Sequence, residues 1–374
     1  MYNKFQEYYK LSNSEFKKLW DSAIFIFDTN TLLNFYRYSE NTVKVFFDIL
    51  EKIKERVWIP FQIGKEFHDD RLSVINQQAK IYYESSLKIK DIYDTLISDS
   101  RNPFLSQTLQ DEFSLILEKV TKDLDEKMQI FNDKIIDDNV LSRITVLFEN
   151  KVGNNFSDEK LKDIYSKGIK RYADKIPPGY QDKSKPEPNK FGDLVIWNQI
   201  LDYAKEKNLP VIFISDDRKE DWWLLNSGKV IGPRPELRKE FYDTVNNQFY
   251  MYQPFKFLEY ANNYIEIKIK QDTIDEVKDL KPYNEEILKT SIKNDILISI
   301  LLETNSKSNI VGFIELLKSS GYEVYNEAVD NNKAILYVPL PNIPDLKRRI
   351  QSRFMTQLVD YDLKLIEFKP QGDE

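Results

Sequence analysis

Cysteine is absent from the 374 residues, and histidine occurs once, at His68. These gaps exclude a disulfide framework, a zinc–thiolate site and a cysteine nucleophile, and they leave almost no room for a histidine triad or a multi-histidine metal centre. Any chemistry falls to carboxylates, hydroxyls, lysine, arginine or tyrosine. No apolar run approaches the roughly 20 residues of a membrane span. The start, Met1-Tyr2-Asn3-Lys4-Phe5-Gln6-Glu7, lacks the apolar stretch of a signal peptide. A soluble, cytoplasmic protein with no membrane partner is expected. An excess of positive charge is also missing. The net charge of -7 argues against a uniformly basic nucleic-acid coat, while leaving open a local basic groove around an acidic site.

What the chain does have is bulk. It is 41% hydrophobic and 13% aromatic, with only 10 glycines, so its core must be built from large side chains. Its length suits two domains, one with a large insertion.

The key stretch is Ile24-Phe25-Ile26-Phe27-Asp28-Thr29-Asn30-Thr31. An apolar run without alternation suits a strand buried on both faces, as in a parallel sheet. Ligands of such sheets bind off the carboxyl ends of the strands, where Asp28 stands. A lead-in helix is expected within 1–22. A helix from Glu40 to Glu55 and a short strand from Arg56 to Pro60 complete a crossover unit, nearly always right-handed and parallel. Another helix follows Pro60 and carries Glu66 in its first turns.

Residues 72–156 are charged, helical and poor in glycine and proline. They read as an inserted helical arm, 72–98 and 108–138, broken at Asn102-Pro103. After a helix over 158–175 comes a Pro- and Lys-rich loop, Lys175 to Lys190. Asp193 then opens an apolar helix ending near Glu206. Val211-Ile212-Phe213-Ile214 is a second continuous apolar strand, and it ends in Ser215-Asp216-Asp217. A strand near 229–231, a helix near 235–246, a strand over Gln248–Tyr252 and a helix over 254–263 close a sheet of four or five mostly parallel strands. Residues 265–290 read as a linker. The remainder, 291–374, reads βαββαβ, the ferredoxin-like arrangement. Its strands are expected at Asp295–Glu303, Tyr322–Val329, Lys333–Pro339 and Leu363–Phe368, and its helices at Asn309–Ser319 and Asp345–Leu358. It carries no catalytic signature, so binding a protein partner or self-association is its expected role.

Four separated segments thus offer acids to one sheet edge: Asp28, Glu66, Asp193 and the pair Asp216-Asp217. Singly, each fits a turn former or a helix-dipole match. Together they are costly, since two carboxylates about 5 Å apart at an effective dielectric near 20 repel by roughly 3 kcal/mol. A hard divalent ion with oxygen ligands, Mg²⁺ or Mn²⁺, removes that cost. It also suits phosphodiester hydrolysis.

These pieces resemble the PIN-like nuclease superfamily, in particular bacterial PIN-like domains with a large helical insertion. The matching stretches are I-F-I-F-D-T-N-T-L-L, I-P-F-Q-I-G-K-E-F-H-D-D-R, I-P-P-G-Y-Q-D followed by F-G-D-L-V-I-W, and V-I-F-I-S-D-D-R-K-E-D-W-W. They span roughly 20–260. The resemblance implies an α/β fold, a PIN-like parallel-sheet sandwich over 1–264, and a metal-dependent nuclease acting on single-stranded RNA or DNA, with RNA favoured. A toxin or antiviral role follows by analogy. Asp28, Glu66, Asp193 and Asp217 take the catalytic and metal-binding positions, with Asp216 competing for the last. Asn30 matches a residue that holds the first carboxylate, and Asp182 and Asp221 are spare acids behind the site.

Lys65, Arg71, Arg171, Lys175, Lys183, Lys185 and Arg218 flank the acids and could hold phosphates. Tyr180, Trp222 and Trp223 could stack bases, although tandem Trp beside a sheet better suits a core. His68 better suits packing than catalysis. Two other readings compete. In a haloacid-dehalogenase-like phosphatase, Asn30 would stand where a second Asp is required and Glu66 would have no duty. In a catalytically silent scaffold, the acids would be idle.

Overall fold

The computed structural model describes residues 1, 4–97, 105–265, 267–280, 295–303, 307–319, 325–330, 333–341, 358 and 363–370. The chain divides into two compact units, residues 1–280 and 281–374.

Three parallel strands form the centre of the first unit: β1 (Ile24–Phe27), β2 (Val211–Ile214) and β5 (Phe249–Tyr252), in the order β1-β2-β5. Every residue of β1 and β2 is buried, as unbroken apolar runs require of a sheet covered on both faces. The register aligns Phe27 with Ile214 and Ile214 with Tyr252, so the carboxyl ends of the strands form one edge.

Helices cover both faces. The lead-in helix α1 (Asn13–Ser22) begins with a capping box between Ser12 and Glu15 and buries Leu19 and Trp20. The short α2 (Thr29–Leu33) starts directly on Asp28, and α3 (Glu40–Lys52) is amphipathic. Of the strand expected over 56–60, only single parallel bridges form, Phe25 to Val57 and Ile59 to Val152.

Helix α4 runs unbroken from Phe61 to Ile97. At about 1.5 Å per residue it is roughly 55 Å long. The expected acid-bearing helix and the first arm helix are therefore one element, because no residue between them stops a helix. It packs along α5 (Gln107–Asp133), and α6 (Asn139–Phe148) and α7 (Asp158–Ala173) return the chain to the sheet. Asp138 ties the base of this arm. It accepts from Tyr36 Oη at 2.7 Å, from Arg71 at 3.0 Å and from the Leu141 amide at 2.8 Å.

Helix α8 (Gly192–Lys207) leads into β2. The expected strand near 229–231 does not join the parallel sheet. It forms β4 (Lys229–Pro233), paired antiparallel with β3 (Trp223–Asn226) in a separate ribbon. Helices α9 (Pro235–Val245) and α10 (Pro254–Tyr264) flank β5, each with proline at its first position. The stretch expected as a linker contains α11 (Gln271–Asp279), which buries Ile274 and Val277. Its Glu276 accepts from Ser39 Oγ at 2.8 Å and Thr42 Oγ1 at 2.6 Å at the start of α3. Charged residues on one side of a helix hid its apolar anchors.

The second unit holds β6 (Asp295–Glu303), α12 (Lys307–Ser319), β7 (Tyr325–Asp330), β8 (Lys333–Pro341) and β9 (Lys364–Pro370). Its antiparallel sheet has the order β7-β8-β6-β9, as the βαββαβ reading requires. The second helix of that reading, 345–358, lies outside the described residues apart from Leu358.

Candidate active site

The carboxyl edge of the parallel sheet carries the acids. Asp28 follows β1 and is the N-cap of α2, where its Oδ1 accepts from the Thr29 amide at 2.9 Å. Its Oδ2 accepts from Ser215 Oγ at 2.7 Å, across the sheet from the end of β2. Thr29 continues the chain of contacts, donating from Oγ1 to Glu66 at 2.8 Å. Gln62, one turn before Glu66 on α4, donates to its other oxygen at 2.9 Å. The Gln62 backbone amide is itself held by Gln199 Oε1 of α8 at 3.0 Å.

Asp193 is brought in by two glycines. At Gly192 a Cβ would lie 2.9 Å from Glu66 Oε1, so a larger residue at the start of α8 would displace the Glu66 carboxylate. Gly179, in the left-handed region at φ 92°, lies against Tyr172 and Asp193, which shapes the loop crossing the acids. That loop is also pinned by Asp221, which is fully buried and accepts from the Gly179 and Gln181 amides at 3.0 Å each.

One group that the sequence reading passed over ties the third and fourth acids together. Lys219 Nζ lies 2.9 Å from Asp217, 3.0 Å from Asp182 and 3.5 Å from Asp193. Its backbone amide also donates to Asp217 Oδ1 at 2.9 Å.

The electrostatics follow from this crowding. Asp28 is pushed up to about 8, first by burial and then by Asp193, Asp217 and Glu66, against the hydrogen bond from Ser215. Asp193 is pushed up to about 7 by burial, with Lys219 opposing and Asp217, Asp182 and Asp221 adding. Both keep a little solvent contact at their surfaces, which works against the rise, but burial sets its direction and the neighbouring acids add to it. Glu66 is also raised by burial. For Lys219, burial disfavours the ammonium, yet Asp193, Asp217 and Asp182 override it and hold the charge firmly.

Asp28, Glu66, Asp193 and Asp217 thus face one another electrostatically. Asp216 does not join them. Its carboxylate accepts from Asn34 Nδ2 at 2.9 Å, and Asn34 in turn accepts from Arg37. Asn30 is exposed, and Ser215 and Thr29 hold Asp28 in its place. Asp182 pairs with the same Lys219 ammonium as Asp193 and Asp217, and Asp221 holds the loop amides.

The basic residues divide. Arg71 is committed to Asp138, and Arg171 makes a two-pronged pair with Glu240 and donates to the Pro177 carbonyl. Both are structural clamps, since a long side chain near an acid in sequence can still fold away from it. Lys65 pairs with Asp69 on the surface. Lys185 pairs with Asp182 and acts on Glu66. Lys175, Lys183 and Arg218 are exposed. Tyr180, Trp222 and Trp223 are buried, so base stacking on them is ruled out in this arrangement. His68 is exposed at the surface of α4, not packed in the core.

The acids themselves offer only carboxylate oxygens, a ligand type whose chemistry fits a hard divalent ion. Among the described residues, no three His, Asp or Glu side chains stand close enough to form a ready-made metal cage. The Lys219 ammonium occupies the space between three of the carboxylates, while Asp28 and Glu66 rest on neutral donors.

No curated protein and no solved structure matches the chain. A family model described as PIN like domain matches residues 24–237, from the first residue of β1 into α9 and across every acid of the site. That is more than half of the 374 residues, and the chain belongs to the PIN-like domain family, whose function is of the nuclease type.

Proposed function

We propose that the protein is a metal-dependent endonuclease that hydrolyses phosphodiester bonds of single-stranded RNA. The observation that carries this reading is the meeting of Asp28, Glu66, Asp193 and Asp217 at one sheet edge, from segments up to 189 residues apart. Buried like charges cost stability, and they persist where function requires them. Asp28, Glu66, Asp193 and Asp217 would hold Mg²⁺ or Mn²⁺. Such an ion supplies a nucleophilic water and neutralises charge on the phosphate.

The chain's own residues do the rest. Ser215 and Thr29 orient Asp28, and Thr29 with Gln62 orients Glu66. The loop over 176–191, anchored by Asp221, carries Lys185, which pairs with Asp182, and the exposed Lys183, and both would take phosphates. Arg218 and Lys175 extend that basic margin. A role as toxin or antiviral effector belongs to the same reading, as does a partner-binding or self-associating role for the second unit. The phosphatase alternative needs an acid at position 30, and the exposed Asn30 takes no part in holding Asp28.

Purified protein incubated with single-stranded RNA and DNA, with and without Mn²⁺, tests this. RNA cleavage that requires Mn²⁺ and is lost in Asp28→Asn is expected. Cleavage that persists in Asp28→Asn, or in EDTA, would overturn it. Absence of cleavage together with no Mn²⁺-dependent rise in melting temperature would favour the scaffold.

A further inference from the structure

We propose that Lys219 serves as a built-in second cation, so that the site takes a single divalent ion, seated on the Asp28–Glu66 side. This rests on the metal-dependent reading above and specifies how the acids are shared.

The carboxylates divide into two groups by what already holds them. Asp28 receives hydrogen bonds from Ser215 Oγ and the Thr29 amide, and Glu66 from Thr29 Oγ1 and Gln62 Nε2. All four donors are neutral, and among the described residues neither acid has an ion pair. Asp217, Asp193 and Asp182 are in the opposite situation. A single ammonium lies 2.9, 3.5 and 3.0 Å from their Oδ2 atoms. Asp217 is gripped at both oxygens by the same residue, Oδ1 by the Lys219 amide and Oδ2 by its Nζ.

A divalent ion coordinated by those three Oδ2 atoms would need oxygens at about 2.0–2.1 Å and would fall on the volume the ammonium fills. Nζ is partly buried and enclosed by the three carboxylates. A lysine so held is a fixed charge rather than a surface side chain that water can exchange. The charge left without a cation is on Asp28 and Glu66. Lys219 is thus a positioning residue. It neutralises one half of the acid ring and directs the metal to the other.

Calorimetric titration with Mn²⁺ in the absence of nucleic acid tests the proposal without reference to cleavage. Wild type is expected to take one ion, and Asp28→Asn to lose it. Lys219→Met is expected to take two, or to bind its ion at least about tenfold more tightly, because a competing positive charge is removed. Lys219→Arg, which keeps the charge, should still take one. In EDTA, Lys219→Met should melt below wild type, and Mn²⁺ should restore most of the loss, which the deletion of a merely structural ion pair would not show. Circular dichroism establishes that each variant is folded, and should Lys219→Met fail to fold, Lys219→Gln takes its place. Two ions in wild type, or one ion of unchanged affinity in folded Lys219→Met, overturns the proposal. No Mn²⁺ binding by wild type defeats the metal-dependent reading itself. One ion in wild type that Asp28→Asn retains defeats only the seating of that ion on the Asp28–Glu66 side.

Discussion

The helical arm and the sheet edge handle charge in opposite ways. Along α4 and α5 the ion pairs are exposed, of opposite sign and one turn apart, as in Lys127–Asp123, Lys122–Glu126 and Lys65–Asp69. Such pairs cost little to form and add little. At the sheet edge, charges of the same sign are buried together, and the nearest relief is one lysine. The arm is solvated because it has no other use for its charges. The edge carries a standing electrostatic cost, which the proposed cation would relieve.

The largest expected effect breaks this contrast at its sharpest point. Asp28→Asn should reduce nuclease turnover on the order of a thousandfold, measured as initial rates on single-stranded RNA in Mn²⁺. Retained turnover would mean that the edge is no more functional than the arm. Next comes the clamp where arm and domain meet. Asp138→Ala removes the partner of a buried Arg71 and of Tyr36 Oη and should cost about 3 kcal/mol in a denaturant titration. A cost within the range of a surface pair would show that the arm is not anchored there.

A pH series in EDTA sharpens the comparison further. Asp28 and Asp193 ionise in the folded state near 8 and 7, against 3.8 ordinarily. Between these limits the folded state holds more protons than the unfolded one, so its stability falls as pH rises. The melting temperature should drop by several degrees from about pH 5 to about pH 8, and Asp28→Asn should flatten part of that fall. A flat wild-type profile would contradict the crowding of acids. The smallest effect belongs to the arm: Lys127→Ala should change stability by no more than about 0.5 kcal/mol and leave cleavage intact.

Much of this was legible in the residues. The two unbroken apolar strands, each ending in acid, located the edge, because a strand buried on both faces cannot alternate. Glu66 and Asp193 followed from their places at helix starts. Of the ribbon, β4 was legible but β3 was not, since Trp223–Asn226 has no alternation to mark a strand and lies beside a run of charge. Helix α11 was hidden by its charged residues. Arg71 and Arg171 looked like phosphate ligands because sequence proximity to an acid says nothing of direction. Lys219 was missed for the converse reason. It sits in a charged run, Arg218-Lys219-Glu220-Asp221, where any one residue could have been the one turned inward. An alternation count from Asp217 would have been the available signal, since Lys219 shares its side of the chain.

By itself the order of residues determined the kinds of element, the chemistry open to the chain and the edge at which acids gather. Those follow from local propensity and from which side chains can be buried. Only the tertiary structure decided between Asp216 and Asp217, set Ser215 and Thr29 behind the carboxylates and inserted Lys219 among them. Each of those outcomes depends on contacts between segments far apart in the chain, and direction in space is fixed only when they pack.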